Sequence, residues 1–108
     1  MSLRVELFPR ADADLEKQFG WYVEHATVDV AERYLQAFHE AVSKLCLHPE
    51  IGLVYPYRDP RLAGLRGCIF ERPFDKHLVF YRTDSTTLRV VRVMHGARDL
   101  PRRLSGRD

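Results

Sequence analysis

Residues 27–49, TVDVAERYLQAFHEAVSKLCLHP, carry the clearest periodic pattern in the chain. The apolar residues recur at intervals of three and four, the spacing of one face of a helix; they are Ala31, Tyr34, Leu35, Phe38, Val42 and Leu45. Thr27 is a residue type that favours helix N-caps, and Pro49 disfavours helical geometry at His48. The stretch therefore predicts one amphipathic helix that begins after Thr27 and ends near Leu47.

A second predicted helix precedes this one. Pro9 suits the first turn of a helix, and the apolar residues that follow it again have helical spacing: Leu15, Phe19, Tyr22, Val23 and Ala26. Gly20 interrupts this helix at a cost of about 1 kcal/mol relative to alanine, which a close helix–helix contact would explain. Trp21 is expected to pack within the helices. The short connection around Thr27 predicts that the two helices form an antiparallel hairpin.

Strand patterns flank the hairpin. Residues 3–8, LRVELF, alternate apolar and charged side chains, as a strand with one buried face does. After a proline-containing loop at 48–64, three more strands are predicted, at 65–71, 76–82 and 88–95, and the short gaps between them favour an antiparallel meander. The order is β-α-α-β-β-β, and the predicted fold class is α+β. The N-terminal strand and the helical hairpin should pack on one face of a small antiparallel sheet.

Alternation along the last strand predicts which of its side chains share a face. Leu88, Val90, Arg92 and Met94 should point one way, and Arg89, Val91, Val93 and His95 the other. Both sets contain apolar residues, yet two helices can cover only one face of such a sheet. The opposite face should therefore be partly apolar and edged with arginine, a pattern that usually marks a binding surface.

Length and composition favour one ordinary globular domain. The 108 residues predict a single domain at 1–104 and a frayed tail at 105–108. Cys46 and Cys68 lack CxxC spacing and are expected to be reduced thiols. The histidines show no metal-ligand pattern, so neither a metal nor a cofactor is predicted. The sequence has no apolar run long enough to span a membrane and no secretory signal, which predicts a cytoplasmic protein without a membrane partner.

Charge is unevenly distributed along the chain. Residues 1–57 contain 5 basic and 9 acidic side chains, whereas residues 58–108 contain 12 basic and 6 acidic ones. All but one of the basic residues in the second half are arginine, which matches carboxylate and phosphate groups well. The C-terminal half is therefore expected to face an anionic partner, either a nucleic acid or an acidic protein.

Several short motifs, in their order and spacing, resemble toxins of the ParE/RelE superfamily of bacterial type II toxin–antitoxin systems, and its ParE-like branch most closely. The motifs are ADADL at 11–15, AERYLQAFHEAVSKLCLHPEIG at 31–52, LRG at 65–67, RPFDKHLVFYR at 72–82 and RVMHGARDL at 92–100. The resemblance implies the fold order given above. It also implies a hetero-oligomer with a cognate acidic antitoxin, whose extended C-terminal segment neutralises the toxin.

The resemblance leaves two activities open, together with a degenerate, non-toxic binding module. ParE-like toxins poison DNA gyrase and serve in plasmid stabilisation, and this activity is favoured here. RelE-like toxins are metal-independent endoribonucleases that cut mRNA on the ribosome. For that alternative, the candidate catalytic residues are His95 as acid or base, Arg66, Arg82 and Arg92 as phosphate ligands, and Tyr81 as a base-stacking or sugar-orienting group.

Three features weaken the nuclease alternative. His95 and Arg92 are three positions apart, so on a regular strand they face opposite sides, and only a bulge could bring them together. The sheet carries one lysine, Lys76, where RelE-like nucleases carry a basic cluster. No tyrosine or second histidine follows His95. His95 is therefore expected to be a structural residue where the strand turns at Gly96, although a catalytic role and a contact with gyrase or the antitoxin both stay open.

Partner contacts are predicted on the last strands and the tail. An acidic antitoxin segment should order on binding along the edge or the uncovered face of the sheet. Its candidate contacts are Leu78, Phe80, Arg82, Val91 and Val93. Candidate contacts with the target are Arg98, Arg102 and Arg103.

Overall fold

The structure, a computed structural model of the chain, describes residues 3–54 and 64–96. It contains two helices, α1 (Pro9–His25) and α2 (Val28–Leu47). The five strands are β1 (Arg4–Leu7), β2 (Leu53–Val54), β3 (Arg66–Ile69), β4 (His77–Thr83) and β5 (Thr87–His95). The predicted order is confirmed, with the two-residue β2 added inside the segment predicted as a loop. Neither described helix is long and apolar enough to cross a membrane.

The helix boundaries follow the local signals in the sequence. Pro9 begins α1, and the hydroxyl of Thr27 accepts a 3.1 Å hydrogen bond from the Val30 N–H at the start of α2. Such a cap stabilises a helix by roughly 1 kcal/mol. Helix α2 ends at Leu47, two residues before Pro49, as predicted.

The sheet has the strand order β1-β5-β4-β3-β2 and is mixed. Strand β1 runs parallel to β5, with Arg4 opposite Thr87 and Leu7 opposite Val90. All the other neighbouring strands are antiparallel. The α+β class is confirmed, but the sheet is mixed where an antiparallel one was predicted. Strand β1 is an edge strand of the sheet, whereas the prediction packed it with the helices on one face. Alternation along a strand reports which face is buried and not the direction of the neighbouring strand, so the parallel pair left no signal in the sequence.

A bulge in β5 changes which side chains share a face. Phe80 pairs with Arg92 but Tyr81 pairs with Val90, so Val91 is an extra residue in β5. Such an insertion reverses the alternation of side chains beyond it. Val90 and Val93 consequently lie together in the core beneath the helices, whereas Val91 packs with the cluster on the opposite face. The prediction that Val91 and Val93 share a face was therefore wrong, and so was the prediction that Met94 shares a face with Leu88 and Val90.

Two apolar clusters lie on either side of the sheet. The larger joins the helices to β4 and β5, and its fully buried side chains include Tyr34, Leu45, Val79, Tyr81 and Leu88. The smaller is built from Leu65, Phe80 and Met94, with Leu78 and Val91 packed against it. Cys46 is buried and Cys68 is half-buried; both are free thiols, and burial raises the pKa of each.

Gly20 does not mark a close helix–helix contact, because a Cβ placed there would meet no atom within 4 Å. We therefore expect Gly20→Ala to raise the free energy of unfolding by about 0.5–1 kcal/mol, since alanine loses less backbone entropy in a helix. Gly96→Ala is the matched control: the space around it is equally open, but φ is +71°, so the same change should destabilise the fold. Urea unfolding followed by circular dichroism measures both. If both substitutions change the free energy of unfolding in the same direction, this interpretation is wrong.

Candidate functional site

A groove of about 400 Å³ lies between α1 and the end of β5, and we call it the histidine groove. It forms because β1 stops opposite Val90, so that α1 covers the part of β5 that follows. The residues that line it are Asp14, Lys17, Gln18, Trp21, Tyr22, His77, Arg92, Val93, Met94 and His95. The groove therefore brings two imidazoles, a phenol, an indole and a carboxylate–guanidinium pair to one place.

A buried ion pair forms one wall of the histidine groove. The Arg92 Nε lies 2.7 Å from one carboxylate oxygen of Asp14, and Nη2 lies 2.9 Å from the other. The side chains are only 8% and 16% exposed, respectively, so solvent screens the pair weakly. A two-point guanidinium–carboxylate contact fixes both orientation and distance. Arg92 is thereby held on α1 and is not presented to the groove as a free phosphate ligand.

Two side chains of α1 also satisfy the backbone of β5 beyond the end of β1. The Asp14 carboxylate accepts a 3.0 Å hydrogen bond from the Val93 N–H. The Gln18 amide donates a 2.9 Å bond to the Val93 carbonyl. These bonds replace the ones that a longer β1 would have made, because buried strand edges must find partners for their polar groups. The ADADL motif therefore includes the carboxylate that joins the first helix to the last strand.

His77 and His95 face each other across β4 and β5 in the floor of the groove. They are partners in the strand register, and their ring centroids are 4.9 Å apart. His77 is 2% exposed, and its Nε2 lies 2.9 Å from the Tyr22 hydroxyl. Burial, helped by the nearby imidazole of His95, lowers the pKa of His77 to about 4. His77 is therefore neutral at physiological pH.

Acid should destabilise the fold through His77. The unfolded chain binds a proton at this side chain near pH 6.5 but the folded chain only near pH 4, so stability is lost as pH falls through this window. We expect a loss of up to about 3 kcal/mol from this residue. Urea unfolding at a series of pH values measures it. His77→Gln should flatten the pH dependence and exposed His25→Gln should not; identical slopes in both variants would contradict the prediction.

Trp21 lies at the rim of the groove and is 55% exposed. The expectation that it packs within the helices was therefore wrong. Its ring stacks on His25, with centroids 4.4 Å apart, and meets Tyr22 edge-on. Helical periodicity places Trp21 beside the apolar face but cannot tell whether a neighbour covers it. An exposed indole beside a polar groove is typical of contact surfaces.

Tyr81 and Arg66, two of the candidate nuclease residues, hold the segment that follows α2. The Tyr81 hydroxyl accepts a 3.0 Å bond from the Gly52 N–H and donates a 2.8 Å bond to the Pro49 carbonyl. Arg66 donates bonds of 3.0 and 2.8 Å to the carbonyls of Glu50 and Gly52. The Tyr81 ring is fully buried in the core. Both side chains therefore have structural partners.

The candidate catalytic residues are spread along the sheet. Tyr81 and Arg66 are partners in the β3–β4 register, whereas His95 lies opposite His77 at the other end of β4. Four positions along a strand correspond to roughly 13 Å. Arg82, half-buried, pairs in register with Arg89. The structure thus brings His95 and Arg92 into one groove but leaves Tyr81, Arg66 and Arg82 away from it.

Arg92 and His95 reach the groove by different routes, and the bulge is not what brings them together. Because Val91 precedes both, these residues remain three positions apart in regular strand and point to opposite faces. They meet because α1 follows the edge of β5, where the Arg92 guanidinium contacts Asp14. Sequence reasoning missed Asp14, Tyr22 and His77 as members of this site, since only the fold brings them to β5.

The five candidate antitoxin contacts do not share one surface. Leu78, Phe80 and Val91 belong to the smaller cluster, and Arg82 follows them by strand alternation. Phe80 is fully buried, and Val93 lies in the larger core beneath the helices. Arg98, Arg102 and Arg103, and the tail at 105–108, lie outside the described residues. Within residues 3–54 and 64–96, no group of three side chains could hold a metal ion.

Comparison with known proteins gives one consistent family. The model of the ParE toxin of the type II toxin–antitoxin system parDE matches residues 5–100. Toxin ParE1 of Mycobacterium tuberculosis, in strains CDC 1551 / Oshkosh and H37Rv alike, is 33% identical over 105 residues. That alignment covers 96% of this chain and all of the relative.

Solved structures give the same fold. The chromosomal ParDE system of P. aeruginosa contains a chain that superposes with a TM-score of 0.70 at 21% identity, covering 88% of this chain and 97% of that one. The toxin–antitoxin complex RelBE2 of Mycobacterium tuberculosis contains one with a TM-score of 0.55 at 23% identity, covering 88% and 99%. Since the family model spans most of the sequence and the curated relative is similar along its whole length, this chain belongs to the ParE toxin family of type II toxin–antitoxin systems.

Proposed function

We propose that this toxin acts in the cytoplasm by poisoning DNA gyrase, within a plasmid-stabilisation or related addiction system. One observation carries the choice of target: three of the five side chains that a metal-independent nuclease would use here, Tyr81, Arg66 and Arg92, are committed to structural hydrogen bonds. Tyr81 and Arg66 hold residues 49–52, and Arg92 binds Asp14. Gyrase poisoning needs a surface that binds one state of the enzyme and no catalytic group, because a ligand that prefers one state shifts the population toward it.

The proposal includes a cognate acidic antitoxin. Arg82 is half-buried on β4, next to the strand positions of Leu78 and Phe80, and the second half of the chain is basic overall. An acidic, disordered segment would gain charge complementarity and backbone hydrogen bonds on such a surface. We propose that this segment contacts the half-buried apolar face formed by Leu78 and Val91, together with Arg82. Phe80 and Val93 are fully buried, so they could contact the segment only if the side chains around them moved.

RelE-like mRNA cleavage is the second candidate because His95 is half-buried in the histidine groove, where an imidazole could transfer a proton. Its weakness is the small number of cations near His95. Among the described residues that line the groove, the cations are Lys17 on α1 and Arg92, and Arg92 is bound to Asp14. A binding module without toxicity is the third candidate. It predicts antitoxin binding but neither activity.

Paired assays on the purified chain separate these functions. If the proposal is right, the chain inhibits supercoiling by gyrase, leaves ribosome-bound mRNA intact, and loses its inhibition when the antitoxin encoded beside it is added. His95→Ala should retain inhibition, with His39→Ala, an exposed histidine on α2, as the matched control. Cleavage of mRNA that His95→Ala abolishes would replace gyrase poisoning with nuclease activity. Antitoxin binding with neither activity would leave the binding module.

A further inference from the structure

Within residues 3–54 and 64–96, no strand pairs with the outer edge of β1. Strand β1 is the first in the sheet order, so β5 is its one neighbouring strand among the described residues. Arg4 N–H donates to the Thr86 carbonyl at 2.9 Å, and Phe8 N–H donates to the Val90 carbonyl at 3.0 Å. In a parallel pair, alternate residues point both backbone groups toward the neighbour. Val5 and Leu7 therefore direct their N–H and C=O groups outward, and Val5 is 44% exposed.

The side chains of this edge are self-complementary. Arg4 and Glu6 carry opposite charges, are both exposed and flank Val5 symmetrically. If a second copy approaches in the antiparallel direction with the two-fold axis at Val5, Arg4 lies opposite Glu6 of the copy, twice over. Val5 then exchanges two backbone hydrogen bonds with Val5 of the copy. The Arg4–Glu6 positions become non-hydrogen-bonded pairs, whose side chains approach most closely.

The charges select this register over its neighbours. Moving the axis to Arg4 sets the two Arg4 side chains against each other, and moving it to Glu6 does the same for two carboxylates. Like charges directly opposite on a sheet are destabilising. The alignment centred on Val5 is the one of these three that pairs opposite charges and also uses the outward backbone groups of Val5.

A second, larger groove lies beside the same edge. It has a volume of about 850 Å³ between β1 and the helical hairpin, and its lining is mainly apolar. Val5 and Leu7 form one side, and Leu15, Phe19 and Phe38 form the others. A copy docked on β1 would cover the open side of this groove and remove Val5 from water. Burial of apolar area would thus add to the strand pairing.

Strand β1 is short and carries charged side chains, two features that discourage self-pairing at strand edges, but these charges are complementary in the register centred on Val5. The other common devices are proline, a bulge or a covering segment, and lysine is the charge most often used. Residues 4–7, RVEL, contain no lysine or proline, and their register with β5 is regular. The Glu6 carboxylate lies 3.6 Å from Arg89, which makes its closer contact with Asp84. Glu6 is thus only weakly engaged and remains about half exposed.

We propose that the chain forms a two-fold homodimer by antiparallel pairing of β1 with β1 of a second copy, centred on Val5. The two sheets then join into one continuous sheet of ten strands, counting those described here. The contact is isologous, as expected for a cyclic dimer. It does not involve the opposite edge of the described sheet, at β2.

A charge-complementation experiment tests the register. Sedimentation velocity of the purified chain over a wide concentration range should show a monomer–dimer equilibrium. Arg4→Glu and Glu6→Arg should each weaken dimerisation by at least about tenfold, because each creates two like-charge pairs. An equimolar mixture of the two variants should restore the dimer as a heterodimer, because one strand then presents two carboxylates and the other presents two guanidinium groups. Arg33→Glu, the same charge change on exposed α2, should dimerise as the parent does.

Disulfide cross-linking tests the axis independently of charge. A hydrogen-bonded antiparallel pair separates Cα atoms by about 5.5 Å, within the range that a disulfide spans. Val5→Cys should therefore cross-link to a covalent dimer under mild oxidation. Val23→Cys, at an exposed site on α1, should not. Circular dichroism of each variant shows whether the fold is retained.

The proposal fails if the chain stays monomeric at every concentration and folded Val5→Cys does not cross-link. It also fails if the mixture does not restore dimers, or if both charge variants dimerise like the parent, since another surface would then be responsible. A monomeric chain whose Val5 edge instead pairs with an antitoxin segment would likewise overturn it. None of these outcomes depends on whether gyrase is the target.

Discussion

Asp14→Ala should lower the free energy of unfolding by about 3–5 kcal/mol, the usual effect of removing one partner from a buried ion pair. The substitution leaves the Arg92 guanidinium buried without the carboxylate that it contacts at 2.7 and 2.9 Å. It also removes the acceptor of the Val93 N–H. Urea unfolding at neutral pH, followed by far-ultraviolet circular dichroism, measures the change.

Two further variants make this prediction specific. Glu16→Ala removes an exposed carboxylate from the same helix and should change stability by no more than about 0.5 kcal/mol. Asp14→Ala combined with Arg92→Met removes the orphaned charge and should recover much of the lost stability, because a well-packed apolar pair can replace a buried ion pair. A loss no larger than that of Glu16→Ala would show that the Asp14–Arg92 contact does not hold α1 on β5.

Gly52→Ala should cost roughly 2–3 kcal/mol, because the site has no room for a methyl group. A Cβ at Gly52 would overlap the Tyr81 hydroxyl and lie 2.7 Å from Cε1 and 2.9 Å from Cζ of the same ring. The ring cannot move aside easily, since it is fully buried and its hydroxyl is bonded to both Gly52 and Pro49. Thermal unfolding followed by circular dichroism should show a clearly lower midpoint.

A double-mutant cycle isolates the contact between Gly52 and Tyr81. Tyr81→Phe alone should cost about 1–3 kcal/mol, because it leaves the buried Gly52 N–H without its acceptor. In that background Gly52→Ala should cost less than in the parent, since part of the overlap is with the hydroxyl. If the costs of the two substitutions simply add in the double mutant, the methyl group at residue 52 does not act through the Tyr81 hydroxyl. Gly20→Ala is the matched control, because a methyl group at that site meets no neighbouring atom and should not destabilise the fold.

Local features of the fold could be predicted from the sequence because local physics determines them. The cap at Thr27, the end of α2 before Pro49 and the burial of Tyr34 and Phe38 follow from residue type and helical spacing. The bulge at Val91 could not be predicted, because nothing in the alternation of residues 88–95 marks which residue is extra. Because Val91 is the extra residue, Val93 lies on the face opposite to the one that simple alternation predicts for it.

The candidate site depends on contacts between distant parts of the chain, which the sequence does not encode locally. Asp14 lies in an early turn of α1, where a negative charge is favourable in any helix and so indicates no partner, and Arg92 has the pattern of a phosphate ligand. His77 lies in the RPFDKHLVFYR motif but has no role assigned from the sequence, yet it faces His95 and contacts Tyr22. The family motifs ADADL and RVMHGARDL do contain both members of the ion pair. Their joint presence is the signal that could have suggested the contact.

The parallel pairing of β1 with β5 also constrains how the protein folds. The neighbour of Arg4 is Thr87, so the first strand finds its place only when nearly the whole chain is available. Contacts of such long sequence separation slow folding, because a large loop must close before they form. During synthesis the helical hairpin can form first, while β1 waits for β5. A prematurely terminated chain that lacks β5 therefore cannot complete the sheet, so a partial translation product would not assemble the toxin fold.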